Sequence, residues 1–249
     1  MSLYKLFCKT IILNEIRYPP QKILPITNNL GMNVRRAKQG DIERICELYM
    51  TAFPEDMEYL FGEPFTDIAT KFLIHNFTAD KNLIANCLVA EKNGKVLGVC
   101  STRFSDYVHY KETEDFDTDS LSLKSITRMI CSFGMLDYLS RVNEGECLID
   151  FMAVDPEFRN NGIGQMLMHS ATMNAIDKGC KQLCLLVSPY SIRARKLYEK
   201  LDFILERMYK TLPIFLLGDR TMFIMVKYLP PTYSSDEKQH ERNDNISLQ

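Results

Sequence analysis

Between Phe151 and Met168 the chain reads FMAVDPEFRNNGIGQMLM. An apolar run rich in β-forming residues stops at Pro156, Arg159 follows, and Gly162 and Gly164 lead into a helical pattern. A strand that turns tightly into a helix leaves backbone N–H groups pointing outward without partners, and the helix dipole adds a partial positive charge. The chemistry suited to such a place is the binding of a phosphate or pyrophosphate. Two familiar phosphate loops do not fit. A Walker loop requires Gly-x-x-x-x-Gly-Lys-Ser/Thr, whereas Gln165 and Met166 follow the second glycine here. A dinucleotide fingerprint requires a third glycine beyond Gly162-x-Gly164. Taken alone, the pair reads equally as a structural turn that only joins strand to helix. Metal chemistry has less support. The eight cysteines contain no Cys-x-x-Cys pair and only four histidines accompany them, so no zinc or other metal site is expected. His75, alone in a helical pattern, reads as a packed or surface residue.

The elements that must position the turn follow from periodicity. A short strand at Asn33 to Ala37 precedes a helix capped by Asp41, with Ile42, Ile45, Cys46, Tyr49 and Phe53 on one face, and Pro54 ends it. An acidic, aromatic connection from Glu55 to Asp67 leads to a second helix from Thr66 towards Phe77. The runs Leu83 to Glu91 and Val96 to Phe104, joined by Lys92-Asn93-Gly94-Lys95, predict a hairpin with a type I′ turn. An acidic loop at Glu112 to Asp119 precedes a helix with Ile126, Met129, Ile130, Phe133 and Leu136 on one face. The strand from Cys147 to Val154 then feeds the helix ending at Lys178, where Gly179 supplies the cap. Strand Lys181 to Val187, helix Ser191 to Leu201, strand Phe203 to Lys210, a turn at Gly218-Asp219 and strand Thr221 to Tyr228 complete the order. Hairpins mixed with crossover helices predict an α/β fold: one mixed, mostly antiparallel sheet of about seven strands with flanking helices.

At 249 residues, 46% hydrophobic and 25% charged, the chain has ample material for one large core. A net charge of −2 supplies no basic excess for nucleic acid. The apolar Ile11-Ile12-Leu13 is far short of the roughly 20 residues that span a bilayer, so neither a membrane segment nor a signal peptide is read there. Cysteines set inside apolar runs are those of a reducing compartment, and a cytoplasmic protein is expected. Residues 1–31 form an N-terminal extension, and the polar tail 230–249 has the composition of a disordered segment.

Val154-x-Pro156-x-x-Arg159-x-x-Gly162-x-Gly164 resembles the Arg/Gln-x-x-Gly-x-Gly/Ala signature of the GNAT superfamily of acyl-CoA-dependent N-acetyltransferases. A second stretch, Ala194-Arg195-Lys196-Leu197-Tyr198-Glu199-Lys200-Leu201-Asp202-Phe203, is similar to the family's Ala-x-x-Leu-Tyr-x-x-Leu-Gly-Phe segment and stands at the expected distance. The resemblance covers Met32 to Leu229, with an insertion at about 106–146, and implies a single N-acetyltransferase domain over 32–229. It implies that Arg159, Asn160, Asn161, Gly162, Ile163 and Gly164 wrap the pyrophosphate of acetyl-CoA, chiefly through backbone N–H groups. Met152, Ala153 and Val154 would pair with the pantetheine amides as a strand edge does, one donor lying near the thioester oxygen. Tyr198, otherwise a packing residue, would protonate the departing thiolate. Where relatives carry a glutamate base this chain aligns Leu186 or Leu148. Asp150, on the same strand face as Leu148, reads equally as the proton acceptor and as a hydrogen-bonded structural carboxylate. Ser191 replaces an asparagine near the cofactor, and Asp202 replaces a glycine, a position where aspartate tolerates unusual backbone angles better than most residues.

An amine acceptor would enter opposite the cofactor, against a wall that includes Glu55, Asp56, Glu58, Glu63 and Asp67 with Tyr59, Phe61 and Phe65. That charge favours a cationic amine, whether a small molecule or a protein or peptide amine; a solvated acidic loop is the plainer alternative. The insertion shapes the same mouth, as a lid or as the contact of a homodimer. The sequence therefore predicts an acetyl-CoA-dependent N-acetyltransferase acting on a primary amine by direct attack in a ternary complex. A non-catalytic acyl-CoA-binding regulatory module is the alternative.

Overall fold

In a computed structural model of the chain, the described residues are 31–106, 121–139, 141–209 and 221–230. The acidic loop, the Gly218-Asp219 turn, the N-terminal extension up to residue 30 and nearly all of the polar tail lie outside them. The elements in chain order are β1 (Asn33–Arg36), α1 (Ile42–Ala52), α2 (Pro54–Phe61), α3 (Thr66–Ala79), α4 (Lys81–Ala85), β2 (Cys87–Lys92) and β3 (Lys95–Phe104). There follow α5 (Leu123–Leu139), β4 (Glu146–Val154), α6 (Ile163–Asp177), β5 (Gln182–Val187), α7 (Ile192–Lys200), β6 (Ile204–Tyr209) and β7 (Met222–Tyr228). The seven strands form one sheet in the order β1-β2-β3-β4-β5-β7-β6. Every neighbouring pair is antiparallel except β4 with β5. This is the fold class expected from the element order.

Strand alternation divides the core between the two faces of the sheet. Leu88, Leu97, Cys100, Ile149, Leu183 and Leu185 meet α6 and Tyr198 of α7 on one side. Cys87, Val89 and Val99 meet α1, α2 and α3 on the other. The β2–β3 hairpin turns through Asn93 (φ 52) and Gly94 (φ 78), as the expected type I′ turn requires. At Gly98 the sheet and α6 pack tightly: a Cβ there would stand 2.9 Å from Ile163 Cγ2 and 3.2 Å from the Ala153 carbonyl oxygen. The C-terminus of α6 closes as a Schellman motif, Cys180 N–H donating to Ala175 O (2.9 Å) and Gly179 N–H to Ile176 O (2.8 Å).

Four local expectations are corrected. Pro54 ends α1 but also opens α2, because a proline at the first helical position loses no intrahelical bond. Much of the expected acidic connection is therefore helical, and Phe61 is a core residue, 7% exposed. The strand expected from Leu83 begins only at Cys87: Asp80 accepts from the backbone N–H groups of Asn82 and Leu83 and starts α4 instead. Asp41 does not cap α1 with its side chain; a 3₁₀ turn precedes the helix, and the carboxylate reaches back to Lys38 N–H (2.7 Å) and to Arg35. Among the α5 side chains described, which end at Ser132, those buried are Ser125, Met129 and Ser132, while Ile130 is 68% exposed. Ser125 can be buried because its hydroxyl donates to Phe61 O (3.1 Å), and Arg128 fixes the same contact by donating to Tyr59 O (2.9 Å) over the Tyr59 ring.

Candidate active site

The parallel ladder joins Glu146–Ile149 of β4 to Gln182–Leu185 of β5 and stops there. Beyond it β4 continues to Val154, while Leu186 and Val187 of β5 pair only with Ile224 and Phe223 of β7. The two strands part, and from Asp150 onward β4 shows its β5-facing edge. A bulge coincides with the parting. Thr102 faces Ile149 and Ser101 faces Phe151, which leaves Asp150 without a Cα partner across β3. The extra residue shifts the alternation of β4. Cys147 and Ile149 lie on the α6 side; past the bulge it is Met152 and Val154 that do so, while Phe151 and Ala153 turn towards α1 and α3.

The edge runs straight into the turn. Pro156–Phe158 make one 3₁₀ turn after Asp155, Arg159 is extended, and Asn160 (φ 64) and Gly162 (φ 77) are left-handed. Left-handed φ is costly for most side chains, which is what restricts these two positions to residues such as asparagine and glycine. In α6 the first intrahelical donor is Met166 N–H, bonded to Gly162 O (3.0 Å), and Gly162 has no side chain to cap the helix. The N–H groups of Ile163, Gly164 and Gln165 are thus available at the positive end of the helix dipole. Arg159, Asn160 and Asn161 are exposed, whereas Ile163 is buried in the core. Arg159 Nε donates back to Val154 O (3.2 Å), and Asn161 Nδ2 donates to Phe158 O (3.2 Å), so both side chains brace the turn. A Cβ on Gly164 would stand 3.1 Å from Leu197 Cδ2 and 3.7 Å from Met152 Cε, which puts β4, the turn and α7 in mutual contact. Ser191 stands exposed at the start of α7 with no side-chain cap bond, and among the described residues no hydrogen bond joins it to the turn.

Tyr198 projects from α7 into the α6-side core and is 8% exposed, its ring 5.8 Å from that of Phe203. Burial, with a smaller effect of the Cys100 thiol, holds its phenol protonated well above the ordinary tyrosine range. Cys100 is the Cα partner of Met152, so Tyr198 lies behind the open edge of β4. Among the described residues no hydrogen bond engages its hydroxyl. Asp150 lies on the other face. Arg103 Nε approaches its two carboxylate oxygens at 3.0 and 3.2 Å, and Arg103 Nη2 makes a closer contact with Oδ1. The Tyr49 ring of α1 meets Phe151 edge-to-face, centroids 5.0 Å apart, and lies tilted 4.8 Å from Phe53. Its phenol is pushed above the usual range by burial and then by the charges of Asp56 and Asp150. A protonated phenol on one face and a carboxylate on the other therefore flank the place where β4 and β5 part. Asp202 has φ 67, the angle its replacement of a glycine calls for, and its carboxylate lies 4.0 Å from Lys227 Nζ.

Residues 42–203 match the family model for the acetyltransferase (GNAT) family. The chain belongs to this family. As a GNAT acetyltransferase it takes its acetyl group from acetyl-CoA, and the open β4 edge, the free N–H groups of α6 and the close approach at Gly164 suit a long amide-bearing chain ending in a pyrophosphate. Solved structures with the same fold include an N-acetyltransferase from Staphylococcus aureus Mu50 (TM-score 0.56, 18% identity, 78% of this chain and 100% of that one). Another is the polyamine N-acetyltransferase of Drosophila melanogaster, which forms N-acetylagmatine (TM-score 0.55, 16% identity, 80% and 100%). A third is yncA from Salmonella typhimurium with its cofactor acetyl-CoA (TM-score 0.53, 17% identity, 82% and 97%). A sequence search of curated proteins gave no match.

Sequence reasoning found the GNAT turn through its local spacing but missed Arg103, Tyr49 and Asp155, whose partners are distant in the chain. Two clefts, of about 550 and 600 Å³, lie elsewhere: one beside Phe104 and Lys178, the other between the α2–α3 joint and α5. Neither is lined by the turn, Tyr198 or Asp150. Among the described residues no group of three or more His, Cys, Asp or Glu side chains could hold a metal ion, and no helix is long and apolar enough to cross a membrane.

Proposed function

We propose that residues 32–229 form one catalytic unit that moves the acetyl group of acetyl-CoA to a primary amine by direct attack in a ternary complex. The observation that carries this reading is the parting of β4 from β5, with the phosphate-suited turn at its end, Tyr198 on one face and Asp150 on the other. The first N–H groups of α6 and the turn from Arg159 to Gly164 hold the pyrophosphate. Backbone groups of Met152 to Val154 hold the pantetheine amides, and one β4 N–H donates to the thioester oxygen as negative charge develops there. Ser191 lies along the same coenzyme path. Tyr198, kept protonated by burial, gives its proton to the departing thiolate. Asp150, oriented by Arg103, takes the proton released by the amine, directly or through one water.

The acceptor enters from the α1–α3 side. Exposed Glu55, Glu58, Glu63 and Asp67, with the Asp56 and Asp150 charges near Tyr49, support a cationic amine. The free cysteines of the described residues support a reducing, cytoplasmic setting.

The test is a panel of polyamine, guanidino-amine, aminoglycoside and peptide acceptors assayed for release of free CoA. The Tyr198→Phe variant should lose about 10²-fold or more in kcat while keeping its affinity for acetyl-CoA. Unchanged turnover removes Tyr198 from the proton path. Tight acetyl-CoA binding without CoA release across the whole panel points to the binding-module alternative.

A further inference from the structure

The turn that meets the pyrophosphate is exposed, carries two left-handed residues and has few side-chain contacts of its own. Something must fix it relative to β4. We propose that Asp155 is the positioning residue that sets the coenzyme turn, and that its pairing with Arg44 of α1 cancels the negative charge it would otherwise set against the pyrophosphate. The inference rests on the reading that this turn holds the coenzyme phosphates.

Asp155 follows the last residue of β4, and its side chain is 9% exposed. Its polar groups are engaged on three sides. The backbone N–H donates to Leu97 O of β3 (2.9 Å), which continues the sheet register one residue past the strand. Oδ1 accepts from Glu157 N–H (3.0 Å) and the Asp155 carbonyl accepts from Phe158 N–H (2.9 Å), so the 3₁₀ turn is built on this one residue. Oδ2 accepts from Arg44 Nη2 in a short contact, with Lys95 Nζ at 4.0 Å. Arg44 is itself fixed, Nε donating to Val96 O (3.1 Å) and Nη1 to Glu47 Oε2 (2.8 Å). The Lys95 ammonium also lies 5.5 Å from the Phe158 ring centre. The start of the turn is thus tied to α1 and β3, two rigid parts of the fold.

A buried carboxylate is a poor device for stability alone, because its desolvation offsets most of what the ion pair contributes. It is effective for geometry, since ionic hydrogen bonds are directional and shared between three elements. Its placement also matters electrostatically. An unpaired anion at the start of the turn would repel a pyrophosphate held by it, and Arg44 with Lys95 offsets that repulsion.

The test titrates CoA and pantetheine, which lacks the pyrophosphate, into the full-length chain and its Arg44→Ala, Asp155→Asn and doubly substituted variants. Either single substitution should weaken CoA binding roughly tenfold or more, because a displaced turn misaims its N–H groups, and should leave pantetheine binding unchanged. The double variant should bind CoA no more weakly than the worse single one, since both act through one pair. Equal weakening of CoA and pantetheine, or losses that simply add, overturns the proposal. If Asp155→Asn does not fold, Arg44→Ala alone decides, because its partner retains Lys95. A wild-type chain that fails to bind CoA overturns the placement of the coenzyme itself. A wild type that binds, with both variants binding as tightly, overturns only the role of the pair.

Discussion

Asp150 shows how much a single extra residue can decide. Without the bulge, β4 would keep one alternation along its whole length; with it, a carboxylate is held on the α1 side by Arg103 while Met152 turns to the α6 side. The Asp150→Asn substitution should lower kcat/KM by about 10²-fold and change the shape of the pH–rate profile. Acetyl-CoA affinity should be retained, because the residue lies across the sheet from Tyr198. A profile identical to wild type removes Asp150 from the proton path. Which residues were legible in the sequence depended on distance along the chain. The turn and the Tyr198 segment are short motifs, and Asp202 could be read as a stand-in for glycine because left-handed φ is a local property. Arg103 and Asp150 are 47 positions apart, and Arg44 and Asp155 are 111 apart. No local pattern announces such pairs.

At the scale of elements, the hairpin was legible because Asn93-Gly94 dictates its own turn. The helices α2 and α4 were not. Pro54 carries a stop for one helix and a start for the next, and the apolar Leu83-Ile84 resembles a strand until Asp80 is seen to cap a helix ahead of it. In the first turns of α5, Met129 of the expected apolar stripe is buried but Ile130 is exposed, and the buried Ser125 joins Met129 because Ser125 and Arg128 bond to carbonyls at the end of α2. The packing of α6 on β3 yields a direct prediction. A methyl at Gly98 meets Ile163, Leu167 and a backbone oxygen of β4, and the backbone cannot rotate away. Gly98→Ala should cost about 1–3 kcal/mol in chemical denaturation and should weaken acetyl-CoA binding as well, because Ile163 is the first residue of α6. Full stability and affinity in this variant would mean that α6 sits less tightly on the sheet than described.

For the whole molecule, buried thiols tie stability to pH. Cys46 and Cys87 are 0% exposed, and burial pushes each thiol from 9.0 up to about 12. The unfolded chain loses these protons near pH 9 and the folded one only near 12. Their contribution is complete below pH 9 and declines as pH rises through that window. At pH 10 each should cost on the order of 1 kcal/mol, read as a fall in urea midpoint between pH 8 and pH 10 with reductant present. A flat midpoint would show the thiols to be hydrated in the folded chain. The parting of β4 and β5 has a mechanical consequence. The sheet consists of two leaves, β1 to β4 and β5 with β7 and β6, and across the sheet they share a hinge of four residue pairs. A molecule that bridges the leaves beyond Ile149 stiffens that hinge. In the ternary complex proposed above, donor and acceptor would therefore sense each other through the stiffness of one short joint.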